Sequence, residues 1–118
     1  VYREKIVEKK IPVSLADVYF DFDSYKLLPL AQNKLEENVK KLKEISGVKV
    51  ILEGYASPEG SENYNLKLSE KRIETVKNYL LENGIPEERI MTKACGEMLV
   101  EKTSYPFARK VHFRIASR

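Results

Sequence analysis

Two stretches with helical apolar spacing, each preceded by a short run with strand spacing, constrain this chain more than any other feature. After Pro29, the residues Ala31, Leu35, Val39, Leu42 and Ile45 recur every three or four positions, which places them on one face of a helix. The pattern stops before Gly47, a residue suited to the position just past a helix end. Leu66, Ile73, Val76 and Leu80 make the second such face, closed by Asn83-Gly84 with Pro86 soon after. Around them, Val18 to Asp23, Val48 to Glu53, Ile90 to Ala94 and Val111 to Ile115 carry the alternation or the apolar run of strands. The order β-α-β-α-β-β predicts an α/β (α+β) sandwich: a mixed sheet with helices covering one face.

A chain of 118 residues is long enough for a single core. Residues 1–16, rich in Lys and Glu, read as a lead-in segment or edge strand, and 17–118 as the domain proper. A start at Val1 rather than Met suggests a fragment or processed product. No apolar run approaches membrane-spanning length, so any membrane attachment is expected through parts of the parent protein outside this chain. The net charge of +3, with acids interspersed among bases, selects no partner. One cysteine, Cys95, and one histidine, His112, make no zinc cluster, and neither a metal nor another cofactor is expected. Cys95, beside Gly96, reads as a small core hydrophobe.

The chemistry is expected where the second strand meets the second helix, in GYASPEGSENYN, residues 54 to 65. On that helix Lys67, Lys71 and Lys77 each have a glutamate three residues away, whereas Arg72 has only Leu68, Ser69, Thr75 and Val76 at that reach. Its guanidinium must therefore find solvent, a partner elsewhere in the fold, or a ligand. Asn65 and Leu68 precede it on the same face, giving an amide, an apolar floor and a cation beside the loop. A guanidinium grips a carboxylate with two parallel hydrogen bonds. An arginine on a helix flank is otherwise a solvated side chain with a packed stem, and Glu59 in Ser-Pro-Glu-Gly is otherwise a soluble turn residue. No nucleophile with an adjacent base can be assigned, so binding rather than catalysis is expected.

The run FDFDS at 20 to 24, then LPLAQNKL, VILEGYASPEGSENYNLKLSEKRIETVKNYLLENGIPEERI, CGE and ARKVHFRI together resemble the OmpA-like C-terminal domain, the family that includes the peptidoglycan-associated lipoprotein. The likeness spans about residues 17 to 116, and its most specific part is Gly60 followed by YNLKLSEKR. The resemblance implies a βαβαββ domain on the periplasmic side of the outer membrane that docks non-covalently on peptidoglycan by gripping the diaminopimelate of the stem peptide. By position it implies that Arg72, at the mouth of a crevice, binds the ligand's carboxylate, that Asn65 lies in the pocket, that Phe22 and Asp23 supply contacts after the first strand, and that Leu68 lines the floor.

The departure is at Ala56-Ser57, where the family usually has Thr-Asp and the aspartate pairs with the ligand's ammonium. Glu59, the only carboxylate between Ser57 and Gly60 and held by Pro58, is expected to swing in as the replacement. Two alternatives stand beside it: Ser57 bonds the ammonium alone, or the domain has become an envelope protein-interaction module with a weakened or lost diaminopimelate site. A nucleic-acid module, suggested by Tyr19, Phe20 and Phe22 with a basic C-terminus, is disfavoured because Asp21 and Asp23 would set negative charge beside any stacking surface.

Overall fold

The computed structural model describes residues 13–117. Four strands form one sheet in the order β1-β4-β2-β3: β1 is Val18–Tyr19, β2 Lys49–Ala56, β3 Ile90–Glu97 and β4 Lys110–Ser117. β2 and β3 run parallel, whereas β4 is antiparallel to both β1 and β2, so the sheet is mixed as expected. Helix α1, Pro29–Glu44, connects β1 to β2, and α2, Glu62–Glu82, is the crossover between the parallel pair. A short α3, Tyr105–Ala108, lies before β4.

Alternation along the strands decides which face the helices cover. Val50, Leu52 and Ala56 of β2 and Val111 and Phe113 of β4 are buried, and they join Leu35, Leu42, Ile73, Val76 and Leu80 of the helices in one core. Ile51 and Tyr55, of opposite parity, are only half-buried. Pro29 sits in the first turn of α1, where its missing N–H costs nothing. Ser61 caps α2, its hydroxyl accepting from the Tyr64 N–H at 3.1 Å.

Several boundaries differ from the sequence reading. β1 keeps two residues of the six expected, because the chain turns at Asp21–Ser24 and Asp23 takes φ 51°. β2 continues three residues past Glu53. Gly54 does not stop the strand but lets α2 approach it: an added Cβ there would lie 2.5 Å from the Ser69 carbonyl oxygen and 2.6 Å from the Ile73 side chain. α2 starts four residues before Leu66 and includes Asn65. Cys95 is half-buried rather than in the core, on the strand stretch where the β2–β3 register shifts. Residues 1–12 of the expected lead-in lie outside the described residues, and Val13–Ala16 is tied to α1: Ala16 exchanges two 2.8 Å hydrogen bonds with the Asn38 side chain, and Lys41 donates to Ser14 O at 2.7 Å.

Two arginines fasten the ends of β2. Arg89 donates from Nε to Val48 O at 2.8 Å and from Nη2 to Leu42 O and Ile45 O at 2.9 and 3.1 Å, joining the end of α1 to the strand's start. Arg72, fully buried, donates to Ser24 O at 2.8 Å, Tyr55 O at 3.0 Å and Asp21 O at 3.0 Å, and lies 5.4 Å from the Phe20 ring centroid. The β1–α1 loop and the far end of β2 are therefore held by one side chain.

Two stability predictions follow from this packing. Gly54→Ala is expected to cost about 1–3 kcal/mol through overpacking against α2, read as a lowered urea midpoint. Arg72→Met, which leaves three carbonyls without their donor, is expected to cost roughly 3 kcal/mol, with Arg72→Lys recovering only part because one ammonium cannot reach three separated acceptors.

Candidate functional site

A cleft of about 140 Å³ opens between the β1–α1 loop, the β2–α2 loop and the first turns of α2. Phe22 and Asp23 line it from the first loop, Ser57, Glu59 and Gly60 from the second, and Tyr64, Asn65 and Leu68 from the helix. Six of the residues singled out in the sequence thus converge: Phe22, Asp23, Ser57, Glu59, Asn65 and Leu68. Ala56 does not line the cleft; it ends β2 with its side chain fully buried. Arg72 is not at the mouth either. It lies beneath, with no exposed surface and three of its five N–H groups spent on main-chain carbonyls.

Local sequence explains the convergence. Gly60 adopts φ +86°, a conformation that suits glycine and turns the loop into the Ser61 cap. One helical turn later Asn65 is buried and donates from Nδ2 to the Glu97 carboxylate at 3.1 Å, which ties α2 to the end of β3. Ser69 donates to Leu66 O at 2.7 Å and accepts from the Gly96 N–H at 3.1 Å, fastening the next turn to the same strand. The floor of the cleft is consequently held by hydrogen bonds on both sides.

The charges are arranged in two groups. On one side the Tyr64 hydroxyl donates to the Asp23 carboxylate. That bond raises the Tyr64 pKa, with desolvation adding to it. On the other side the Ser57 hydroxyl, 6% exposed, donates to Glu59 Oε1. Arg109, from the residue before β4, closes this second group: Nε donates to Ser57 Oγ at 3.1 Å, Nη2 lies 3.3 Å from Glu59 Oε2, and the guanidinium carbon is 5.4 Å from the Phe22 ring centroid.

Below both groups, burial lowers the Arg72 pKa to about 10, with the Arg109 charge lowering it further and Asp23 and Glu59 opposing. Arg72 stays charged at neutral pH. Neither guanidinium lines the cleft; Asp23 and Glu59 rim it and can receive an ammonium, while Arg109, bonded to Ser57 and Glu59, lies beside it as the cation nearest a ligand's carboxylate. Among the described residues no group of His, Cys, Asp and Glu could hold a metal ion. The sequence reading missed Arg109 and Tyr64 as site residues, although ARKVHFRI and the Tyr-Asn pair of the helix motif already contained them.

Comparison with known proteins identifies the family. The OmpA family profile matches residues 19–109. The chain is 37% identical over 83 residues to outer membrane protein A of Bordetella avium, covering 70% of this chain and 43% of that protein. It is 33% identical over 84 residues to the peptidoglycan-associated lipoprotein of Pseudomonas aeruginosa, covering 71% and 49%. The chain thus spans no more than about half the length of these relatives. The crystal structure of the peptidoglycan-associated lipoprotein from Burkholderia pseudomallei superposes with a TM-score of 0.77 at 26% identity, covering 84% of this chain and 88% of that one. The C-terminal domain of Helicobacter pylori MotB superposes with a TM-score of 0.79 at 12% identity over 89% and 87%, a likeness of fold alone. With a profile match over most of its length and the expected fold, the chain belongs to the OmpA family, a family of structural and binding domains rather than enzymes.

Proposed function

We propose that this domain binds peptidoglycan non-covalently, holding one amino-acid end of diaminopimelate in the cleft and so anchoring an envelope protein to the cell wall from the periplasmic side of the outer membrane. Membrane attachment would come from parts of the parent protein beyond this chain. The observation that carries the reading is the convergence of Phe22, Asp23, Ser57, Glu59, Asn65 and Leu68 on one small hollow above Arg72. A volume of about 140 Å³ suits an amino-acid head group, not a drug-sized ligand.

Glu59 stands in for the missing aspartate in this scheme. Its carboxylate accepts from the Ser57 hydroxyl and therefore sits where an acid at position 57 would reach. Asp23 faces the ammonium from the other side. The ligand's carboxylate is directed to the side of Arg109, the guanidinium that reaches Ser57 and Glu59 of the cleft. Arg72, buried and outside the cleft lining, acts only through its charge and its hold on the Asp21–Ser24 turn. Phe22 and Leu68 offer apolar surface to the ligand's methylenes.

A specific observation favours the second reading, an envelope protein-interaction module with a weakened site: Glu59 is already neutralised by Arg109 at 3.3 Å. Co-sedimentation with purified, protein-free peptidoglycan separates the two. Pelleting that free diaminopimelate inhibits supports the anchor, and a protein that stays in the supernatant supports the module. Glu59→Gln, which keeps size and removes charge, is expected to weaken diaminopimelate binding by about tenfold, the worth of one charge-assisted bond. Unchanged affinity in titration calorimetry would discard Glu59 as the replacement acid.

A further inference from the structure

We propose that the free edge of β1 receives an extended segment of a partner protein, which adds a strand to the sheet and sets alternate side chains into an apolar groove beside it. The proposal goes beyond the peptidoglycan reading and does not rest on it. The groove, about 470 Å³, runs between β1, the start of α1 and α3, and none of its lining residues lines the cleft.

The backbone of β1 decides what can lie there. Phe20 donates its N–H to Arg109 O at 2.7 Å, which makes Phe20 a hydrogen-bonded position of the antiparallel β1–β4 pair. Such positions alternate, so Tyr19, opposite Lys110, turns its N–H and C=O away from β4. β1 ends the sheet, and among the described residues no strand lies beyond it to take those two groups. An outward donor and acceptor beside a groove match an extended chain, whose own N–H and C=O groups are free to pair; a helix has spent its own internally.

Side chains divide by the same alternation. In an added strand, the residue opposite Tyr19 shares its face of the sheet, and the next one shares that of Phe20, which is buried toward the helices. Toward the helices the groove offers Leu28 and Ala31, with Leu30 of α1 69% exposed at its edge. Exposed apolar side chains scattered singly are ordinary, but Tyr19 and Phe107, 41 and 64% exposed, form a corner in the same groove, their rings at 86° and 6.4 Å apart. The stem of a lysine or arginine packs on such rings.

Charge selects the partner further. Of the groove's ionic groups, Asp17 is taken by Lys110 and His112, Arg109 by Glu59, and Lys34 lies 3.9 Å from Glu37. Asp21 is the acid of the rim that no cation among the described residues engages, and its side chain is exposed. The partner segment that fits therefore alternates apolar residues, set toward Leu28 and Ala31, with lysine or arginine on the side of Tyr19 and within reach of Asp21.

The test titrates the whole chain, by NMR, with the blocked peptide acetyl-Thr-Val-Lys-Phe-Lys-Ile-Thr-amide and two N-methylated forms of it, one methylated on the apolar residues and the other on the lysines. The unmodified peptide is expected to shift the Tyr19 amide resonance. One methylated form is expected to lose at least about tenfold in affinity and the other to stay within about twofold, because only alternate N–H groups of an added strand face β1. Which form loses reports the direction of the strand. Leu30→Ser is expected to weaken the peptide about fivefold with melting temperature unchanged. Asp21→Asn, a second variant at an exposed side chain, is expected to erase the preference for this peptide over its counterpart with glutamate in place of lysine. Equal loss in both methylated forms, loss in neither, or no shift at Tyr19 overturns the proposal. So does a chain that dimerises by itself and that Leu30→Ser returns to monomer in sedimentation, since the groove would then belong to a second copy.

Discussion

A guanidinium taken out of water costs free energy unless its N–H groups find acceptors of fixed geometry. Arg72 meets that condition with three main-chain carbonyls from two separate segments, Asp21 and Ser24 on one side and Tyr55 on the other. The consequence is positional. The two loops that face each other across the cleft cannot drift apart without stripping a buried charge of its partners, so the placement of Phe22 and Asp23 opposite Ser57 and Glu59 follows from one side chain in α2. Arg89 answers the same problem at the start of β2, with carbonyls from Val48, Leu42 and Ile45. The strand that leads into the candidate cleft is thus fastened at both ends by arginines acting on the main chain, an arrangement that no surface ion pair would match in strength.

The helices were legible because their signal is local and repeated. Ala31, Leu35, Val39 and Leu42 are buried on α1, and Ile73, Val76 and Leu80 on α2, as their spacing demands. The short β1 was not legible, because the Val18–Asp23 alternation ends in a turn set by a partner outside the run: Arg72, 51 residues from Asp21, holds the carbonyl there. Gly54 misled for a related reason. Read locally, a glycine after an apolar run is a stop; in the fold it is the place where Ser69 and Ile73 come too close for any side chain.

The site divides along the same line. That Arg72 has no carboxylate three or four residues away on its helix was visible in the sequence, and so was the choice it faced between solvent, a partner elsewhere and a ligand. The identity of that partner was not, since backbone carbonyls leave no residue-type signature. Arg109 was hidden more completely. It lies 50 residues from Glu59, and only the pairing of β4 with β1 and β2 brings it to the cleft. A basic C-terminal run reads as a solvated face until the strand order is known.

The Glu59–Arg109 pair raises the question of how a cleft that neutralises its own acid can still receive a ligand. The two side chains are 33 and 17% exposed, so the pair lies between a surface ion pair, worth up to about 1 kcal/mol, and a fully desolvated one. Breaking it sets free one carboxylate and one guanidinium, the two groups that a zwitterion's own charges would meet. The exchange replaces one ion pair by two, while Ser57, which donates to Glu59 and accepts from Arg109, stays beside both. A deeper pair would hold the cleft shut, and a lone Glu59 would attract any cation. On the wall-binding reading proposed above, a partly exposed pair would favour ligands that bring both charges at the right separation, and a neutral serine at position 57 would then be compatible with zwitterion binding.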